Sequence, residues 1–293
     1  MTQTVLVTGA GGQLGRELVL TANAETRCIG LTRSQLDICD SEAVGAILKR
    51  EKPILVINAA AYTAVDKAES DRDNAARINE TAPGILAKAC GMSGARLIHV
   101  STDFVFDGES NRPYKPESVP NPIGEYGRTK LDGERAVREY LPEALIIRTG
   151  WVYSCFGSNF VKTMLRLMAE RDELSVVADQ VGTPTWARGL ALAIWAASEQ
   201  TQLSGIYHWS DAGVCSWYDF ALAIYEEASG LGLLSTQTNI VPISAAEYPT
   251  PAERPHYSVL DKTRSWQDFQ LQGVHWRIQL RSMLKQLKET ENE

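Results

Sequence analysis

The chain has 293 residues, 44% of them hydrophobic and 22% charged, enough apolar material to bury a sizeable core in one large lobe with a smaller one beside it. A net charge of -7, with no block of lysines and arginines, excludes a nucleic-acid-binding surface. No apolar run reaches the roughly 18 residues a membrane span needs, and the N-terminal MTQTVLVTGAGG enters a strand-like run without a basic segment or cleavage-type site. A cytoplasmic protein with no membrane partner is therefore expected. Cys28, Cys39, Cys90, Cys155 and Cys215 are odd in number and lack a CxxC pair, which suits reduced core thiols better than disulfides or zinc.

In chain order, apolar β-branched runs alternate with helical patterns. Strand-like Thr4 to Thr8 precedes a helix over Gln13 to Ala24. Arg27 to Thr32 precedes one over Ser41 to Glu51, and Ile54 to Asn58 one over Asp71 to Met92. Ala95 to Ser101 reads as a fourth strand, Glu125 to Tyr140 as a helix and Leu145 to Thr149 as a fifth strand. Continuously apolar strands are buried on both faces, so the units predict an α/β fold with a Rossmann-type, doubly wound parallel sheet over residues 1–150. Residues 151–293 are expected to build mainly a smaller C-terminal substrate-binding lobe, with room for part of the chain to return to the sheet. Helices are predicted there over Ser158 to Glu170, Arg188 to Ala197 and Trp276 to Lys288, with Asp179 to Thr185 (DQVGTPT), Arg112 to Pro122 and Pro249 to Pro255 as loops.

Gly9, Gly12 and Gly15 follow the first strand at three-residue intervals and open a helix. Flanked in this way, they allow a tight turn whose N–H groups, with Gln13 and Leu14 behind them, approach a pyrophosphate. Past the second strand stands Arg33, where a 2′-phosphate would be read, and no acidic residue ends that strand. Asp37 and Ile38 are placed to approach the adenine. The cofactor is thus NADPH or NADH, with Arg33 alone tilting the choice to NADPH.

Tyr126 and Lys130 lie four residues apart at the start of a helical pattern and project from one face. A fixed cation beside a phenol favours the phenolate, so Lys130 is expected to lower the pKa of Tyr126. Ser101, Thr102 and Asp103 end the fourth strand at the carboxyl edge of the sheet, where a hydroxyl can join the phenol on one substrate oxygen. His99, His208, His256 and His275 are too dispersed for a metal site, and His99, inside a strand run, reads as a core histidine.

With TGxxGxxG, a Ser/Thr and YxxxK in this order, the chain resembles the extended short-chain dehydrogenase/reductase superfamily. Four further stretches, beginning at Asn58, Ser101 (STDFVFDG), Asp179 (DQVGTPT) and Arg254 (RPHYSVLD), make it similar to the dTDP-4-dehydrorhamnose reductase family over almost its whole length. The resemblance implies reduction of the C4 keto group of dTDP-4-dehydro-L-rhamnose by NAD(P)H. Tyr126 would donate the proton, Thr102 a hydrogen bond, and Lys130 would hold the nicotinamide ribose. It also implies that Asn58, Ala59, Ala60 and Ala61 line the cofactor and that Asp103, Phe104, Trp151, Gln180 and Arg254 lie on the substrate side, Arg254 suiting a diphosphate.

Two features depart from the family. Phe104 replaces the tyrosine of STDYVFDG, which removes a hydroxyl from the site. Some members dimerise through a metal held by carboxylates. Glu17 stands near one such position, but Arg188 follows DQVGTPT where another is needed, so magnesium is conceivable but not expected, and a monomer or a homodimer both remain open. The alternatives are another nucleotide-sugar reductase or epimerase on the same fold, or a non-catalytic cofactor-binding subunit. Retention of Thr102, Tyr126 and Lys130 argues against the last.

Overall fold

A computed structural model describes residues 3–291. Strands β1 (Gln3–Thr8), β2 (Thr26–Leu31), β3 (Leu55–Asn58), β4 (Arg96–Thr102) and β5 (Leu145–Thr149) form one sheet with a sixth strand, Gly205–His208. The spatial order is Gly205–His208, β5, β4, β3, β1, β2, and every pairing is parallel. The expected doubly wound sheet is thus present, and its last strand comes from beyond residue 200. Successive residues along the strands serve opposite faces. Leu6, Val56, Leu97 and Ile146 pack in one core, while Val7, Ile57, Ile98 and Ile147 pack in the other. The chain runs from β1 out to β2 and then crosses back to β3, so a crevice opens at the carboxyl ends of β1 and β3.

A third core fills the region beyond β5, where Tyr153, Met164, Met168, Phe220, Leu280 and Met283 pack together. The helices Phe160–Glu170, Trp217–Gly230 and Trp276–Glu291 supply most of it.

Several boundaries differ from expectation, each for a local reason. The first helix, Gln13–Leu20, stops short of Ala24: Thr21 leaves helical geometry as the C-cap at φ -100°, ψ 3°, its N–H and hydroxyl both donating to the Glu17 carbonyl. The helix expected over Asp71 to Met92 is three pieces, Arg72–Ala76, a π segment at Arg77–Thr81, and Ala82–Ser93. Pro83 has no N–H for the Asn79 carbonyl, and the surplus turn absorbs that missing bond. Gly133 lets the neighbouring helix close over the spot, since an added Cβ there would strike the Asn79 carbonyl oxygen. Within DQVGTPT, expected as a loop, Val181–Gly182 pairs with Cys215–Ser216. The Trp217–Gly230 helix escaped the sequence reading although Ser216 and Asp219 form a capping box at its start. All five cysteines are free thiols, and no described helix is long and apolar enough to cross a membrane.

Candidate active site

A cleft of about 600 Å³ opens along the carboxyl edge of the sheet. Its floor is the glycine turn after β1. Gly9 has φ +73°, and an added Cβ would lie 2.6 Å from the Ala60 nitrogen, so only glycine lets β1 and the loop after β3 meet. Gly15 is pressed onto the same turn, where a Cβ would lie 2.7 Å from the Ala10 Cα. The Gly12 N–H closes the turn on the Gly9 carbonyl at 2.9 Å, and Gly12 begins the first helix with no side chain capping it. The first-turn N–H groups therefore stand open at the positive end of the helix, a cradle that fits a pyrophosphate.

Gln13, Leu14, Arg33, Asp37, Ile38, Ala59, Ala60 and Ala61 all line this cleft. Gly15 and Asn58 support it from behind: Asn58 is fully buried, and its Oδ1 accepts from the Thr8 hydroxyl at 2.7 Å and from the Ala60 N–H at 3.2 Å. Arg77, brought in by the π segment, stands on the same wall as Arg33 and pairs with Asp37 at 3.5 Å. The Cys39 N–H, first among its partners, holds the Asp37 carboxyl below its usual range.

Across the cleft stand Thr102, Tyr126 and Lys130. β4 ends on Thr102, and the Glu125–Tyr140 helix presents Tyr126 and Lys130 one turn apart. Burial pushes the Tyr126 phenol up to about 12, the Thr102 hydroxyl works against the rise and the Asp103 charge adds to it. The lowering expected from Lys130 is not found: burial sets the direction, and the group that opposes it is Thr102. Tyr126 therefore keeps its proton at neutral pH, as a donor must. Burial pushes Lys130 down to about 8 against the pull of Glu134. Its Nζ donates to the Val100 carbonyl at 2.7 Å. Behind it, Glu134 binds Arg148 through two contacts of 2.8 and 2.7 Å and accepts from the Ser101 hydroxyl, all buried.

Asp103, Phe104 and Trp151 also line the cleft. Phe104 meets the Tyr126 ring edge-on with centroids 5.5 Å apart. Asp103 is buried under Gly150 and, chiefly by burial, its carboxyl is raised to about 6, with the Ser258 and Thr102 hydroxyls opposing. Trp151 adopts φ +50°, a conformation costly for a side chain of its size. Its ring stacks flat on Trp217 at 3.4 Å, over Gly182, where a Cβ would collide with it. Gln180 and Arg254 do not line the cleft. Gln180 is half-buried beside Val181, whose N–H bonds to the His256 carbonyl at 2.7 Å. Arg254 is turned to Asp66.

Glu17 faces inward: it is fully buried and accepts from the Ser154 hydroxyl at 2.9 Å. Burial raises its pKa, with Ser154 and the charge of Arg188 opposing. Among the described residues no three His, Cys, Asp or Glu side chains group to hold a metal ion.

Arg77, Glu134, Trp217 and the contacts of His99 belong to the site without having been expected from the sequence. A proline in a long helical run was the signal for the first. Glu134, one turn past Lys130, was the signal for the second.

A parallel sheet reversing at β1 and β3, an uncapped glycine turn, and a Tyr–Lys helix on the facing wall define a nicotinamide-dinucleotide-dependent oxidoreductase of the short-chain reductase class. The chain belongs to the RmlD substrate binding domain family, whose model matches residues 3–289. A dTDP-4-dehydrorhamnose reductase of Aggregatibacter actinomycetemcomitans is 41% identical over 286 residues, 95% of this chain and 97% of the relative. The crystal structure of the dTDP-4-dehydrorhamnose reductase of Bacillus anthracis in complex with NADP superposes with a TM-score of 0.93 at 37% identity, covering 98% of this chain and all of that one. A Thermus thermophilus UDP-glucose 4-epimerase in complex with NAD shares the fold at TM-score 0.82 and 20% identity.

Proposed function

We propose that this chain reduces the C4 keto group of dTDP-4-dehydro-L-rhamnose, giving dTDP-L-rhamnose, with NADPH or NADH as reductant. The observation that carries the reading is the meeting, in one cleft, of the glycine turn with Thr102, Tyr126 and Lys130. The names of relatives matched over nearly their full length support the same substrate.

Gly9, Gly12, Gln13, Leu14 and Ala59 to Ala61 would hold the dinucleotide, with Arg33 and Asp37 toward its adenosine end. When bound, the nicotinamide would supply the hydride for the ketone carbon. Negative charge then builds on the carbonyl oxygen, and Tyr126, protonated by virtue of its burial, gives that oxygen its proton. The Thr102 hydroxyl, which donates to Asp103 Oδ1 at 3.1 Å in this structure, would turn from it to donate to the same oxygen as charge develops. The Lys130 ammonium offsets the charge left on Tyr126. Phe104 and Trp151 give apolar walls to a hexose with a methyl group, and Asp103, on the same cleft, would face its hydroxyls, whereas Gln180 stands outside the cleft. Arg254 leaves Asp66 to take the diphosphate.

The reading is tested by following NADPH absorbance with dTDP-4-dehydro-L-rhamnose. One NADPH consumed per sugar reduced supports it. Interconversion of sugars without net NADPH loss would make the protein an epimerase, and NADPH binding with no turnover would make it a cofactor-binding subunit.

A further inference from the structure

His99 lies in the middle of β4, fully buried, between Asn58 on β3 and Lys130 on the facing helix. The Asn58 amide is fixed: a backbone N–H can only donate, so the oxygen must face Ala60, and the Nδ2 group is left toward His99. That Nδ2 lies 3.0 Å from His99 Nδ1, which must therefore carry the lone pair. Burial first, and the nearby Lys130 charge second, keep His99 well below its ordinary pKa, so the ring is neutral and its single proton is on Nε2. Nε2–H faces Lys130 Nζ at 3.5 Å. An ammonium has no lone pair to receive it, whereas an amine does.

We propose that His99 is a positioning residue which, locked by Asn58 as the Nε2–H tautomer, favours the amine form of Lys130 and so makes Lys130 a ready source of the proton that restores Tyr126 after each turnover. In that step the Lys130 ammonium loses one proton, the Tyr126 phenolate gains it, and solvent recharges the amine. Burial already lowers Lys130, and the His99 donor adds to that bias; the other groups around Lys130 do not. From β4 the Val100 carbonyl accepts from Nζ, and Glu134, one turn on, favours the ammonium but is itself neutralised by Arg148. Asp103, from the segment after β4, acts on Tyr126, and Asn58 carries no charge.

The inference rests on the reading of Lys130 as catalytic, so it is tested first without cofactor. In ¹⁵N-histidine-labelled protein, His99 should show an unprotonated Nδ1 and a protonated Nε2. In ¹³C-lysine-labelled protein, Lys130 should titrate near 8. His99→Phe keeps the site dry but removes the donor, and should move that titration up by about one unit. The alkaline limb of kcat should shift upward with it, since the ammonium is then held to higher pH. His99→Gln, which can accept from Asn58 through Oε1 and donate through Nε2, should leave the limb near the parental position. A His99 protonated on Nδ1, or a Lys130 titration unmoved by His99→Phe, overturns the proposal; if that variant does not fold, the tautomer in the parent protein decides. Parental turnover by Lys130→Met would instead remove the catalytic reading itself, independently of the two titrations.

Discussion

Arg254 and Asp66 form a two-point ion pair, Nη2 to Oδ2 at 2.8 Å and Nη1 to Oδ1 at 3.0 Å, that ties the loop before Pro255 to the short Val65–Ala68 helix beside the cleft. The same guanidinium also donates to the Thr250 hydroxyl at 2.6 Å. A diphosphate would compete with Asp66 for it. Arg254→Ala is therefore expected to raise KM for the nucleotide sugar roughly tenfold or more with a smaller effect on kcat. Asp66→Asn, which loosens the competing pair, should leave KM unchanged or lower it. Steady-state kinetics on both variants checks this, and a lower KM for Arg254→Ala would remove Arg254 from the substrate side.

Arg33 and Arg77 share the cleft wall past β2, and among the described residues only Arg77 has an acidic partner there, Asp37 at 3.5 Å. Loss of the Arg33 charge should weaken NADPH more than NADH. Arg33→Ala is expected to raise KM for NADPH roughly tenfold while changing KM for NADH about twofold or less. Equal effects on both cofactors would show that Arg33 does not read the 2′-phosphate.

Asp103 is buried with its carboxyl raised to about 6. Because the folded protein binds this proton more tightly than the unfolded chain does, the associated stability is complete below about pH 4 and is lost as pH rises through 6. At neutral pH the buried charge costs up to about 3 kcal/mol. Asp103→Asn, which keeps an acceptor for the Thr102 hydroxyl, should gain stability over the parent between about pH 4 and about pH 7.5 in urea unfolding. A difference independent of pH would contradict it.

Glu134 and Arg148 pair out of contact with solvent, and Arg148 Nη1 already has no hydrogen-bond partner while its guanidinium lies 5.1 Å over the Phe106 ring. Removing one charge leaves the other buried and unmatched. Glu134→Gln is expected to lower stability by about 3–5 kcal/mol, measured by urea unfolding; a change under about 1 kcal/mol would mean that water reaches Arg148.

The first five strands and the cofactor turn were legible because both rest on local signals: buried strands read as unbroken apolar runs, and Gly9 and Gly15 stand where the backbone leaves no room for a Cβ; the sixth strand, Gly205–His208, was not. The Tyr126 to Lys130 spacing was legible as helix geometry. The direction of the Tyr126 shift was not, because it depends on how deeply tertiary packing buries the ring. Nor was the pairing of Arg254 with Asp66, residues 188 apart in sequence, or the stacking of Trp151 on Trp217 across the second lobe. Arg77 entered the cleft through a π segment that a proline hinted at but no periodicity marks.

The most direct test of the account compares the parent protein with Tyr126→Phe in NADPH-dependent reduction of dTDP-4-dehydro-L-rhamnose, alongside NADPH binding to each. Removing the phenol hydroxyl leaves the glycine turn and Lys130 in place, so binding should persist while kcat falls roughly 10²-fold or more. Retention of kcat within about threefold would show that another group protonates the substrate oxygen, and would contradict the role given to Tyr126.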